Sequence, residues 1–271
     1  AGAGLHSQMQ PSVTYYYQTY LPGQNRYIST NKDLEFSRSI HTMVGYNWTV
    51  MPRLRMKMEA YYQHLYEIPI EPTPSHFSMV NAGESIGDIL VSDSLVNDGT
   101  GRNYGIELTV EKFFDRGYYF LLSGSLYNST YKGSDGVERN TAFNGNYGVT
   151  ALGGYELKIG NKNRIAFDSR ITWAGGNRYT PIDIEASILE KQTVRDYDRA
   201  YEERYRDYFK ADVKVSYTFN GKKVSHSLAL DFQNVFNTKN VFSMNFNPES
   251  GKIETKHQLG FLPLLYYRIQ F

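Results

Sequence analysis

The order of connections constrains this chain more than any other feature. Segments in which apolar and polar residues alternate are joined by long connections at residues 21–36, 69–102, 132–143, 175–204 and 237–260. These alternate strictly with short ones at 51–53, 115–117, 160–162 and 220–223. Successive side chains of a strand point to opposite sides, so period-two alternation marks a sheet with two different environments. Leu54, Met56, Met58, Ala60 and Tyr62 share one side, with Arg55, Lys57, Glu59 and Gln63 on the other. A helix would scatter those charges around its circumference. Tyr104, Ile106, Leu108 and Val110 stand in the same way against Asn103, Glu107, Thr109 and Glu111. The pattern recurs in about ten strands of roughly 10–15 residues, where soluble strands run to about 5–6. Short turns at one end and long loops at the other are the arrangement of outer-membrane barrels, whose short turns are periplasmic and whose longer loops are extracellular. The expected fold is all-β, an antiparallel transmembrane β-barrel.

Composition supports this reading. The 271 residues include 24 Tyr and 15 Phe, and tyrosine suits a boundary where one end of a ring is apolar and the other wet. Mean hydropathy is −0.51, and no apolar run reaches the roughly 18 residues of a transmembrane helix. A barrel escapes that test because its alternating faces average out. The net charge of +1 and the lack of a Lys/Arg run point away from nucleic acid. With no Cys there is neither a disulfide framework nor a thiolate site. A soluble sandwich would also alternate, but it would have to bury a second face carrying charges of both signs.

Several local expectations follow. Ala1-Gly2-Ala3-Gly4 reads as the end of a turn, and a first strand runs from Leu5 to Gln18, broken locally at Pro11. Residues 69–102 and 237–260 read as loop, with a short helix within Ile184–Val194. Asn220-Gly221 reads as a hairpin turn with positive φ. Lumen charges such as Arg55, Glu111, Arg164, Asp168 and Lys214 are expected to pair across strands or to meet a plug. The acidic residues Asp183, Glu185, Asp196 and Asp198 interleave with Arg195, Arg199 and Arg204, which favours a solvated charge network over a metal site.

At the end of the chain, Leu265, Tyr267, Ile269 and Phe271 alternate with Tyr266, Arg268 and Gln270. A strand ending on an aromatic suits the closing strand of an outer-membrane barrel, with Tyr267, Ile269 and Phe271 on the membrane side. The stretches Tyr104-Gly105-Ile106-Glu107-Leu108, Asp231-Phe232-Gln233-Asn234-Val235-Phe236-Asn237 and Tyr267-Arg268-Ile269-Gln270-Phe271 together resemble TonB-dependent outer-membrane transporters. Gly101-Arg102-Asn103-Tyr104-Gly105 and Thr172-Trp173-Ala174-Gly175-Gly176 resemble the branch found in Bacteroidetes-type bacteria. The resemblance implies a barrel of about 22 strands, of which residues 1–271 are the C-terminal portion, without the plug domain and the N-terminal strands. It further implies import of a bulky nutrient (siderophore, oligosaccharide or peptide), with no cofactor, metal or covalent catalysis. The implied partners are outer-membrane lipid, the upstream plug and strands of the same protein, the TonB energy-coupling complex and a surface lipoprotein.

Candidate ligand contacts are the lumen-facing residues at the loop ends of strands, Asn103, Tyr127, Asn146, Tyr208 and Gln233, joined by Arg178 and Tyr179 in the loop. The alternative is a self-contained ten-stranded barrel, either a passive porin or a His/Asp protease. A protease needs a His within hydrogen-bond reach of a carboxylate at the extracellular end of the lumen. His64 and His226 fall on the apolar face, His6 and His41 have no evident acidic neighbour, and His76 and His257 lie in loops.

Overall fold

The structure is a computed structural model that describes residues 1–83 and 92–271. Ten strands form one antiparallel path in which each pairs with the next along the chain. They are β1 (Gly2–Gln8), β2 (Ser37–Met51), β3 (Leu54–Ile70), β4 (Val96–Asp115), β5 (Tyr118–Lys132), β6 (Tyr147–Ile159), β7 (Asn163–Ala174), β8 (Tyr208–Asn220), β9 (Ser225–Gln233) and β10 (Leu262–Gln270). A short extra strand, Glu138–Asn140, folds back onto β5. An up-and-down meander puts every short turn at one end and every long connection at the other, as the connection lengths predict.

Register decides which residues share a face. Tyr46 stands opposite Met58, Met58 opposite Leu108, and Ile106 opposite Leu126, so the apolar positions form continuous rows. The rows continue through Tyr155 opposite Phe167 and Leu228 opposite Tyr267. These side chains are exposed, Tyr46 at 70% and Met58 at 61%, because the surrounding lipid takes the place of a packed core. Trp48, Tyr118, Phe219 and Tyr267 lie toward the turn end of this face, and Tyr104, Trp173 and Phe209 toward the loop end, as two aromatic girdles. The opposite face is polar and braced as expected. Arg55 pairs with Glu111 at 2.6 Å, Lys214 with Asp168 at 3.5 Å and Arg164 with Glu156 at 3.6 Å. Other pairs run along a single strand, Lys57 with Glu59 and Lys210 with Asp212.

The sheet does not close on itself. β1 and β10 are the two ends of the path, and among the described residues no ladder joins them. Two clusters of buried apolar side chains form where strand ends meet the long connections, one of Ile68, Phe77, Met79 and Leu95 and another of Tyr131, Ala142, Ala200 and Tyr201.

Several local expectations are corrected. β1 begins at Gly2, inside the supposed turn, and stops at Gln8, after which Ser12–Tyr16 form a short helix, α1. Pro11 is the cause: it has no N–H for the ladder, while its carbonyl accepts from Thr14 N at 2.9 Å. The 69–102 connection shrinks at both ends, since β3 runs to Ile70 and β4 starts at Val96. Pro69 is tolerated there because the register shifts around Ile68. Residues 84–91 of that connection lie outside the described residues. Connection 237–260 holds a hairpin, Val241–Asn247 with Lys252–His257. Its turn has Gly251 at φ 65, but its strands carry no clean two-sided pattern. Asn220 and Gly221 do not take positive φ. A four-residue loop closed by Gly221 N donating to Val224 O at 2.9 Å has no need of the two-residue geometry.

Candidate functional site at the loop end of the sheet

The long connections fold over the mouth of the sheet and pack on one another. The segment after β5 turns inward, burying Thr141, Ala142 and Asn144. The Asn144 side chain is fully buried and saturated. Its Nδ2 donates to Asn128 Oδ1 at 2.9 Å and to Asn140 Oδ1 at 2.7 Å, and its Oδ1 accepts from Ser129 N at 3.1 Å and Asn146 Nδ2 at 3.1 Å. An amide with both donors and its acceptor occupied holds its segment in one arrangement. A second lock is steric. Gly145 and Gly175 approach so closely that a methyl group on Gly175 would overlap the Gly145 carbonyl, so glycine alone lets these two connections meet.

Between these loops lies a cavity of about 810 Å³. Its lining mixes polar and charged side chains with the rings of Phe77, Phe143, Tyr197, Tyr205, Tyr208 and Phe242. Its charged groups differ in availability. The Arg195 guanidinium donates to the carbonyls of Thr180 and Met244, and Glu71 accepts from Ser92. Arg206 is exposed and makes no hydrogen bond or ion pair among the described residues. A smaller cavity of about 320 Å³ lies against the lumen wall, lined by Tyr61, Gln63, Asn103, Tyr127, Ser129 and Phe143 among others. Phe143 borders both.

The predicted contacts are distributed over this arrangement. Tyr208 and Arg178 line the large cavity, and Asn103 and Tyr127 the small one. Asn103 is tied into the wall, donating to Gln63 Oε1 at 2.9 Å and accepting from Ser129 Oγ at 2.6 Å. Asn146 sits behind the large cavity, where its Oδ1 accepts from Arg178 at 3.0 Å. Arg178 also donates to the carbonyls of Asn144 and Glu202, so its guanidinium serves three acceptors and clamps the connection after β5 to the one after β7. Tyr179 lies outside both cavities and stacks on Tyr205 with ring centres 4.4 Å apart. Gln233 is also outside them, accepting from Lys210 Nζ at 3.2 Å. Tyr267 and Ile269 face outward on β10 and Phe271 is fully exposed. Sequence reasoning missed His76, Tyr197, Tyr201, Tyr205, Arg206 and Phe242. The density of tyrosines from Tyr197 to Tyr208 was the available signal.

Burial lowers the Arg178 guanidinium below the ordinary arginine value, with Arg204 adding to the effect and Glu203 opposing it. Burial and Glu203 push the Tyr179 phenol up. His76 stacks on Tyr197 at 4.1 Å, and burial, then Arg139, hold its imidazole below the usual histidine range against Glu71 and Asp135. Asp183 caps the helix α2 (Ile184–Glu190) by accepting from Ala186 N, and Arg199 pairs with Glu202 and Glu203. Among the described residues no group of His, Asp and Glu is placed to hold a metal.

Comparison with known proteins agrees with this architecture. The family described as TonB dependent receptor-like, beta-barrel matches residues 4–237. No curated protein matches by sequence. Among solved structures, the ferric-catecholate import receptor Fiu of E. coli K12 superposes with a TM-score of 0.56 at 14% identity, over 98% of this chain and 32% of that one. The ferric yersiniabactin uptake receptor FyuA of Yersinia pestis gives 0.56 at 14% identity, over 87% of this chain and 30% of that one. The chain thus spans about a third of the length of these receptors. It is an outer-membrane β-barrel chain, and it belongs to the TonB-dependent receptor β-barrel family.

Proposed function

We propose that residues 1–271 supply the C-terminal part of the wall, and the extracellular loops, of a receptor that actively imports a bulky nutrient across the outer membrane. The observation that carries this is the cavity of about 810 Å³ at the loop end. It opens where an extracellular ligand arrives, and Arg206, which has no ion-pair partner among the described residues, lines it with Tyr205 and Tyr208. A siderophore, an oligosaccharide or a peptide is large enough to engage several of these rings at once. Tyr208, Arg178, Asn103 and Tyr127 are the predicted residues best placed to meet it. Asn146 and Tyr179 support the lining, and Gln233 belongs to the wall. Among the described residues β1 and β10 keep open edges, which further strands would cover, because lipid tolerates no open edge. Energy then comes from the TonB complex through a plug encoded upstream, a surface lipoprotein covers the loops, and no covalent chemistry is needed.

The test is uptake. A strain lacking the complete gene should lose growth on one nutrient class supplied as sole source, and complementation should restore it only when TonB is present. Tyr205→Ala with Arg206→Gln should weaken ligand binding while leaving the amount of folded barrel unchanged. An ungated ion conductance of the purified protein in planar bilayers, together with TonB-independent uptake, would mean a passive porin instead.

A further inference from the structure

At the end of the sheet opposite the cavity, two adjoining turns carry lysines that pair with no carboxylate among the described residues. Lys162 lies in the turn between β6 and β7, and Lys222 and Lys223 lie in the turn between β8 and β9. The two turns are joined, since Asn220 N donates to the Lys162 carbonyl at 3.0 Å. All three lysines are exposed, and among the described residues none has an ion-pair partner. One rung inward, Lys158 stands directly opposite Arg164, an arrangement of like charges that costs stability across a ladder. Glu156 is the nearby carboxylate side chain, and Arg164 already engages it at 3.6 Å.

What adjoins these turns identifies the partner. On the outer face, Phe219, His226 and Tyr267 form a row of rings across β8, β9 and β10, with centres 6.4 and 6.2 Å apart. His226 Nδ1 and the Tyr267 hydroxyl lie 2.8 Å apart, which ties the row together. Rings of this kind settle at the level of lipid headgroups, and lysine lays its apolar stem along such a surface while its ammonium stays in the polar layer. The cations therefore stand at the depth of phosphate groups.

We propose that Lys162, Lys222 and Lys223 form a binding site for the phosphate headgroups of anionic phospholipids in the periplasmic leaflet. The site rests on the periplasmic placing of the short turns and is independent of what the protein imports. It neutralises lysines that have no ion-pair partner among the described residues, and it anchors the barrel at a fixed depth.

The experiment uses the protein expressed from its complete gene, reconstituted in nanodiscs of phosphatidylethanolamine alone or mixed with phosphatidylglycerol. Native mass spectrometry should find phosphatidylglycerol enriched on the protein. The enrichment should fall about fivefold or more in the K162Q/K222Q/K223Q variant and weaken with salt. The arginine variant K162R/K222R/K223R should keep it, and heat-modifiable mobility in gels verifies that each variant is folded. No preference for the anionic lipid overturns the proposal, as does a preference unchanged in the glutamine variant. Displacement of the lipid by inorganic phosphate at equal concentration also overturns it, because the site would then be one for the free ion.

Discussion

Arg178 donates to the Asn146 side-chain oxygen at 3.0 Å, joining two residues that lie far apart in sequence and that arrive from different connections. Asn146 adopts φ 71, a left-handed conformation that asparagine tolerates better than most residues. Together they hold the 133–146 segment against the 175–207 connection. Replacing Arg178 with Lys keeps the charge but cannot serve three acceptors in a fixed fork. The expected loss is about 2 kcal/mol of local stability, seen as faster amide exchange across residues 140–146 and 178–205, with the wall strands unchanged.

Asn144 should be less tolerant still. Asn144→Ala leaves Asn128, Asn140 and the Ser129 N–H without their buried partner, and each lost partner costs about 1–3 kcal/mol. The variant should fold as a barrel yet show protease cleavage within 133–146. Resistance equal to that of the parent would show that water replaces the amide without penalty.

The His76–Tyr197 stack predicts sensitivity to pH. The folded value of His76 is lowered, so the folded state binds fewer protons than the open one. Stability from this contact is complete above the unfolded value of about 6.5 and is lost as pH falls below it toward the folded value. Exchange rates in residues 71–83 should therefore rise on acidification through that window. The His76→Phe variant, which keeps a ring against Tyr197, should flatten the dependence.

Turn geometry makes its own prediction. Arg116 and Gly117 take φ 52 and 88 in the two-residue connection between β4 and β5, and a Cβ on Gly117 would stand 2.9 Å from the Glu156 carbonyl oxygen. Gly117→Ala should cost about 1 kcal/mol and lower the yield of heat-modifiable folded barrel. The same change at Gly160, which has φ 63 but no neighbour within 4 Å of a Cβ, should carry the backbone cost without the clash.

The gathering of the site depended on contacts that no local pattern encodes. Asn103, Tyr127 and Tyr208 were legible as lumen-facing positions because strand parity alone assigns them. His76 and Tyr197 were not, because they belong to two connections more than a hundred residues apart and meet only when the loops pack. The same holds for the hairpin within 237–260, whose short strands are held by outside contacts such as Phe246 N to Thr193 Oγ1 at 2.9 Å.

Alternation and connection length, which are local and periodic, determined the antiparallel wall, the lipid-facing rows from Tyr46 to Tyr267 and the side on which the loops lie. A sheet in lipid must satisfy every backbone group through its neighbours, so a two-residue period leaves little freedom once strands pair in sequence. Tertiary structure alone decided that Asn144 is buried, that Gly145 meets Gly175, that Arg178 is a clamp and that Arg206 lines the cavity. Those outcomes depend on which loops touch, and loop contacts follow from shape and hydrogen-bond competition across distant segments rather than from any spacing within one.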